Sequence, residues 1–198
     1  SVSHMGYVLL GLAALTTAGV SGAARQMFNH GVSSAMMFLI VGVIYDRAHH
    51  RDLTRFGGIA LQMPWYTGIA TIGFFASLGL PGLNGFISEI LCFLGAWSPE
   101  SLITSDAGIA SPWIVYVSLL GIVLTAVYIL WTIQRVFLGT VTNEEYKRFP
   151  DVTFREVVAL VPLAFLCIAL GVYPSVLIDF MDGSLTTITE MVRSALPN

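Results

Sequence analysis

A long charge-free stretch that ends in a single acid constrains the fold of this chain most. Residues 56–88 contain no Asp, Glu, Lys, Arg or His, and apolar sequence continues beyond Glu89 to Trp97. A charged side chain is costly in hydrocarbon, so an acid in such a setting is by default a functional-site hypothesis. The alternative is a carboxyl group that is held neutral or paired for structural reasons only.

The residues just before Glu89 predict a break in this helix. They are residues that a straight helix disfavours, namely Gly79, Pro81, Gly82, Asn84 and Gly85. Membrane helices break mainly where protein or a water-filled cavity can satisfy the freed backbone groups. The break and the acid together therefore indicate a polar path for an ion near the middle of the bilayer, as in transporters with discontinuous helices.

The composition indicates an integral membrane protein. Of the 198 residues, 56% are hydrophobic and 11% are charged, and the mean hydropathy is +0.79, whereas soluble domains have about 25% charged residues. The basic residues form no extended patch, which argues against a nucleic-acid partner. Cys92 and Cys167 lie in apolar runs, and no carboxylate or histidine lies at ligand spacing from Glu89, so we expect no metal site.

The apolar runs predict an all-α, polytopic membrane fold with five transmembrane helices, the third of them discontinuous, because a span requires about 20 apolar residues. The predicted spans cover residues 5–24, 26–45, 63–97, 113–134 and 157–178 of a helix bundle formed by residues 1–178. Residues 179–198 are predicted to form a tail at the outer face. This tail could be an amphipathic helix with Leu185, Ile188, Val192 and Leu196 on one side.

The charges in the loops predict the orientation of the chain. Residues 46–55 and 135–156 carry most of the nine Lys and Arg residues, which by the positive-inside rule places both loops on the cytoplasmic side. The connection 98–112 has Glu100 and Asp106 but no basic residue, so we expect it on the outer side. Residues 63–97 then cross the membrane once. The chain begins without Met or a signal peptide, and we expect it to be the C-terminal part of a longer polypeptide.

Polar residues recur at helical spacing in two of the predicted spans. In the second span these residues are Gln26, His30, Ser33 and Ser34, and in the fourth they are Thr125, Tyr128 and Thr132. Such stripes face a protein interior rather than lipid. Each stripe is either part of a water path or a set of hydrogen bonds between helices.

Two histidines are candidates for proton transfer. Imidazole suits a relay because its unperturbed pKa is about 6.5. His30 lies in the middle of the second span, where a relay and a satisfied core histidine are equally compatible with the sequence. His4 lies at the cytoplasmic end of the first predicted span, and the residues alone slightly favour an interfacial anchor over a relay.

Four motifs resemble a known family. They are S-V-S-H-M-G at residues 1–6, Q-M-F-N-H-G at 26–31, Y-D-R-A-H-H-R-D at 45–52 and L-P-G-L-N-G-F-I-S-E at 80–89. Together, in this order and over essentially the whole chain, they resemble the antiporter-like, proton-translocating subunit M (chain 4) family of NADH:quinone oxidoreductase, or respiratory complex I. The resemblance implies that this chain corresponds to the last five transmembrane helices of that subunit.

The resemblance also implies roles for individual residues. His4 and His30 match the histidines of the central hydrophilic axis of the family, and Glu89 matches the acid on its second broken helix, at the outlet of the proton path. Other antiporter-like subunits of complex I usually carry Lys at that position. Ser88 departs from relatives that often have Gly or Ala there, and it could add a hydrogen bond to the carboxyl group.

The implied function is proton translocation as a subunit of NADH:quinone oxidoreductase, by relay through polar residues to Glu89. The alternatives are a subunit of the photosynthetic NDH complex, a subunit of an Mrp-type Na⁺/H⁺ antiporter, and a membrane scaffold. The chain has no Gly-rich nucleotide loop, Cys cluster or haem-ligand pattern, so we expect NADH, FMN, iron-sulfur clusters and quinone elsewhere in the complex. Expected partners are other membrane subunits, lipid and protons, in the bacterial inner membrane.

Overall fold

The structure is a computed structural model, and it describes residues 1–104, 112–141 and 143–195. Within these ranges the chain is helical and contains no strand, which confirms the all-α prediction. The helices are α1 (Val2–Ala14), α2 (Thr17–Ala48), α3 (Ile59–Gln62), α4 (Pro64–Leu78), α5 (Asn84–Trp97), α6 (Trp113–Val136), α7 (Phe154–Val172) and α8 (Ser175–Ala195), with a 3₁₀ helix at Glu144–Arg148.

Helices α2, α6 and α7 are long and apolar enough to cross a membrane, while α1 and α5 are shorter apolar helices. The count of five spans therefore stays a prediction.

The boundary between the first two helices lies earlier than predicted. The chain turns at Leu15, whose φ of 48° is in the left-handed region, and α2 begins directly afterwards. The side chain of Thr16 accepts a hydrogen bond of 3.1 Å from the Gly19 N–H and so caps the new helix. The predicted limits 5–24 and 26–45 are wrong because this turn contains no charge, Gly or Pro to mark it.

The predicted limits 5–24 and 26–45 leave Arg25 between two spans, but it lies inside α2. Its side chain is buried, and its Nη2 lies 3.3 Å from Oδ1 of Asp182 on α8. Ser21, one turn earlier on α2, donates a hydrogen bond of 3.0 Å to the same carboxylate oxygen. Arg25 is therefore tolerated in an apolar helix because a distant part of the chain supplies its counter-ion.

The predicted break in the third span is present between α4 and α5. Gly79 (φ 74°) and Gly82 (φ 89°) adopt left-handed backbone conformations, which glycine reaches without steric cost. Pro81 lies between them, outside both helices. Asn84 and Gly85, which were also predicted in the break, are instead the first two residues of α5.

The C-terminal part also differs from the prediction. Helix α7 ends at Val172, before Pro174, so residues 175–178 of the predicted fifth span belong to α8. The predicted tail is helical in α8, whose side chains Ile188 and Val192 are exposed while Thr189 is buried; its amphipathic role at the outer face stays a prediction. The carboxylate of Asp182 on α8 accepts hydrogen bonds from Ser21 and Arg25 of α2. Leu196, and Asp106 of the predicted outer loop, lie outside the described residues.

Helix α2 is the centre of the bundle and contacts α1, α4, α5, α7 and α8. Glycines allow α1, α2 and α5 to approach at backbone distance. A Cβ atom added at Gly22 would lie 2.6 Å from the backbone nitrogen of Cys92 on α5, and one added at Gly11 of α1 would lie 2.5 Å from the carbonyl oxygen of Gly19. Such small-residue contacts are the usual means of close packing between membrane helices.

A second contact holds the opposite end of α2. Arg47 donates hydrogen bonds of 2.8 Å to both carboxylate oxygens of Glu156 on α7, which is the bidentate geometry of a strong ion pair. Arg47 also donates to the carbonyl oxygen of Asp151. The carboxylate of Asp151 in turn accepts hydrogen bonds from the backbone N–H groups of Trp65 and Tyr66 at the start of α4. This cluster connects α2, α4 and α7.

We predict that Gly22→Ala destabilises the full-length protein by about 1–3 kcal/mol, because the new methyl group overlaps the α5 backbone. Gly42→Ala, in the same helix, is the matched control, because a Cβ atom there meets nothing within 4 Å. Replacing a glycine inside a helix by alanine is otherwise stabilising, by about 0.5–1 kcal/mol. Thermal unfolding of the purified variants measures both effects, and equal melting temperatures would contradict close packing of α2 against α5.

Candidate functional site

The candidate site lies where α1 and α5 meet the end of α4. His4 and Glu89 are both buried, and His4 Nε2 lies 3.9 Å from Glu89 Oε1. The same nitrogen lies 3.0 Å from the carbonyl oxygen of Ser77 in the last turn of α4. A carbonyl oxygen can only accept a hydrogen bond, so Nε2 carries the proton in this contact. A buried His4 beside an acid does not fit an interfacial anchor.

His30 extends this pair towards α2. The centroids of the His4 and His30 rings are 5.1 Å apart, and His30 Nε2 lies 3.1 Å from Oγ of Ser1. His30 is only partly buried. Three titratable side chains from three helices thus follow one another in the order His30, His4 and Glu89.

A small polar cavity adjoins Glu89. Its volume is about 10 Å³, which is enough for about one water molecule. The lining residues come from α1, α2, α4 and α5 and are His4, Gln26, Asn29, His30, Ser33, Ala76, Ser77, Gly85 and Glu89. The site can therefore hold a single water molecule next to the acid, but not a continuous column of water.

A larger crevice of about 340 Å³ lies on the other side of the histidines. Its polar lining includes Ser34, Tyr128 and Thr132, and its apolar lining includes Met37 and Phe74. His4 and His30 line both the crevice and the small cavity, whereas Glu89 lines only the cavity. Ser77 also lines both, so the acid is set back from the crevice behind two histidines and a serine.

Gly79 gives the carboxyl group of Glu89 its space. A Cβ atom added at Gly79 would lie 2.6 Å from Glu89 Oε2, well inside van der Waals contact. The same residue has a φ of 74°, which disfavours other residues. The break therefore does two things at one residue: it reverses the local backbone and it leaves room for the acid.

Comparisons with known proteins assign the family. The profile of the NADH:quinone oxidoreductase/Mrp antiporter transmembrane family matches residues 1–113. The chain belongs to this family. It is 40% identical over 179 residues to NADH-quinone oxidoreductase subunit M of Rickettsia felis, and 36% identical over 202 aligned residues to NAD(P)H-quinone oxidoreductase chain 4 2 of a Synechococcus strain. These alignments cover 90% and 100% of the chain.

The fold agrees with this assignment to the antiporter-like family. A chain of the respiratory complex I from Thermus thermophilus with bound NADH superimposes with a TM-score of 0.82 at 27% identity, over 94% of this chain and 37% of that one. The chain spans 34% of the length of the Rickettsia relative and 36% of the Synechococcus relative. The family and the long apolar helices confirm a multi-pass integral membrane protein, and the predicted likeness to the C-terminal part of subunit M is also confirmed.

Most of the polar residues that the sequence singled out line either the small cavity or the crevice. Gln26 and Ser33 line the small cavity, and Ser34, Tyr128 and Thr132 line the crevice. Thr125 is buried but lines neither, and its hydroxyl group donates to the carbonyl oxygen of Gly121. A role for any of these residues in proton transfer stays a prediction.

Sequence reasoning missed one residue of the site, Asn29. It is buried on the cavity side of α2 and donates hydrogen bonds to α5, to the carbonyl oxygen of Asn84 and to Ser88 Oγ. Ser88 Oγ in turn donates to Gln26 Oε1 and not to the acid, so the predicted bond to the carboxyl group of Glu89 is not formed. The signal for Asn29 was its position three residues after Gln26 on the same helical face.

We predict that Gly79→Ala lowers the activity of the assembled protein more than Gly82→Ala does. Both glycines have left-handed backbones, so both variants carry a strain of about 1–2 kcal/mol. Only the methyl group at residue 79 meets the Glu89 carboxyl group, since a Cβ atom at residue 82 meets nothing within 4 Å. Proton pumping normalised to the amount of assembled protein measures the difference. Equal losses in both variants would show that only the backbone matters at residue 79.

Proposed function

We propose that this chain is part of a proton-translocating membrane subunit of an NADH:quinone oxidoreductase. The observation that carries the proposal is the buried Glu89 at the helix break, 3.9 Å from His4. Intramembrane acids beside titratable partners are typical of proton relays. The similarity to subunit M relatives supports the choice of complex.

In the proposed mechanism a proton enters from the crevice at His30 and passes to His4 and then to Glu89. The ring distance of 5.1 Å between the histidines and the 3.9 Å from His4 to Glu89 are each longer than one hydrogen bond. Each transfer therefore requires a small rotation of a side chain or an intervening water molecule. Glu89 then releases the proton towards the outer face, and the charge of a lysine upstream in the longer subunit switches its protonation.

The bond between His4 and Ser77 gives this relay a resting state. While Nε2–H points at the Ser77 carbonyl oxygen, the proton on that nitrogen is held by the end of α4 and not by the acid. Protonation of His4 at its other nitrogen frees Nε2–H to turn to Glu89, because a cationic imidazole is attracted to a carboxylate. Transfer of the Nε2 proton to Glu89 leaves a neutral ring with its proton on Nδ1, and a change of tautomer or a ring flip then restores the Nε2–H bond to Ser77. His4 thus passes protons one at a time.

We further propose that the redox chemistry belongs to other subunits, with NADH, FMN, iron-sulfur clusters and quinone bound outside this chain. Its own contacts would be with neighbouring membrane subunits and lipid. The second candidate function is cation/proton exchange of the Mrp type, which the description of the matching family includes. The similarity to the Synechococcus chain 4 supports a photosynthetic complex as a third setting for the same relay.

The substitution Glu89→Gln in the full-length protein tests the relay. The amide keeps the size of the side chain but cannot exchange the proton, so we expect NADH-driven pumping to fall at least about tenfold, as when a general acid–base group is lost. Inverted membrane vesicles with a pH-sensitive dye measure pumping, and native gel electrophoresis measures assembly. Glu190→Gln, at an exposed position on α8, is the control and should leave pumping unchanged.

The three possible outcomes separate the candidate functions. Loss of pumping with normal assembly supports Glu89 as a proton carrier. Unchanged pumping in a fully assembled complex would make the broken helix a scaffold and would contradict the relay. Cation-dependent proton exchange that persists without NADH would favour the antiporter function.

A further inference from the structure

Two buried asparagines join α2 to the first turn of α5 on the side of Glu89. Asn29 Nδ2 donates a hydrogen bond of 2.7 Å to the carbonyl oxygen of Asn84, and Asn84 Nδ2 donates one of 3.2 Å to the carbonyl oxygen of Asn29. Their exposed fractions are 5% and 1%. This reciprocal pair, which we call the asparagine clamp, fixes the start of α5 to α2.

The clamp also fixes the orientation of the Asn29 amide. Nδ2 donates to two acceptors, the Asn84 carbonyl oxygen and Ser88 Oγ, and Ser88 uses its own proton to bond Gln26. Turning the amide by half a revolution would place Oδ1 against the Asn84 carbonyl oxygen, which is repulsive. Asn29 Oδ1 must therefore be the free acceptor. It is buried and has no hydrogen-bond partner among the described residues.

An unpaired buried acceptor is unfavourable, and the cavity beside it can supply a partner. Asn29, His4 and Glu89 all line that cavity, whose volume of about 10 Å³ is enough for about one water molecule. His4 Nδ1 is a second buried polar atom without a partner in the described part of the chain. Buried waters typically make about two to four hydrogen bonds to such groups.

We propose that the cavity binds a single water molecule that donates a hydrogen bond to Asn29 Oδ1 and contacts the Glu89 carboxyl group. Resting on the function proposed above, this makes Asn29 a further residue of the proton path. The water provides the hydrogen-bonded step that the 3.9 Å distance between His4 and Glu89 lacks. The asparagine clamp holds Asn29 Oδ1 at a fixed position relative to the Glu89 carboxyl group, because Asn84 and Glu89 belong to the same short helix.

High-resolution cryo-electron microscopy of the assembled complex containing the full-length protein tests the site directly. We expect density for one water molecule within hydrogen-bond distance of Asn29 Oδ1 in the wild type. Asn29→Leu, of similar size but without polar atoms, should remove this density. Met27→Leu is the control: it lies two residues earlier on α2, is exposed and lines neither the cavity nor the crevice, so the water should remain.

Pumping in the same variants tests the role of the site. We expect Asn29→Leu to lower the NADH-driven rate about fivefold, the effect of one lost hydrogen bond, and Met27→Leu to stay close to the wild type. An empty cavity in the wild-type map, or full pumping by assembled Asn29→Leu, would overturn the proposal. If Asn29→Leu does not assemble, the wild-type map decides the matter alone. If the wild-type map shows the water but Glu89→Gln pumps fully, the proposed relay is refuted while the water site is confirmed.

Discussion

A helix that breaks inside a membrane must find partners for its freed backbone groups, and this requirement organises the site. At the end of α4 the N–H groups of Gly79 and Leu80 donate back to the carbonyl oxygens of Ala76 and Phe75, at 3.3 and 3.2 Å. The carbonyl oxygen of Ser77 is instead bonded to His4. The break therefore depends on a side chain from another helix, and that side chain is the one that lies beside the buried acid. The hydrogen bond between His4 and Ser77 therefore satisfies the backbone at the break and also holds a residue of the candidate proton path.

Close helix packing makes this arrangement possible. His4, His30 and Glu89 come from α1, α2 and α5, and these helices approach at backbone distance through glycines such as Gly22. Bulkier residues in these contacts would push the helices apart and lengthen every distance in the relay. Helix α7 covers the break from the other side, where Gly171 contacts the backbone of Gly82. The small residues thus set the geometry of groups that they do not contact.

The sequence predicted what depends on local chemistry and missed what depends on distant partners. The break followed from Gly79, Pro81 and Gly82, and the all-helical membrane class followed from the apolar runs. The start of α2 was misplaced because Arg25 marks a loop only when it lacks a counter-ion, and its counter-ion, Asp182, is 157 residues away on α8. Asn29 was missed because its position three residues after Gln26 gives only its helical face, while its partner on α5 is 55 residues distant.

The crevice and the small cavity differ greatly in volume, and this difference affects whether water could form a continuous path through the site. A crevice of about 340 Å³ admits many water molecules, whereas the cavity at Glu89 holds about one. His4 and His30 line both, so in the proposed relay a proton moves from one to the other through an imidazole and not along a continuous column of water. An imidazole takes up and releases one proton at a time and does not conduct other ions. If the proposed relay operates, burial of the acid behind two histidines favours a gated, proton-selective step over an open channel.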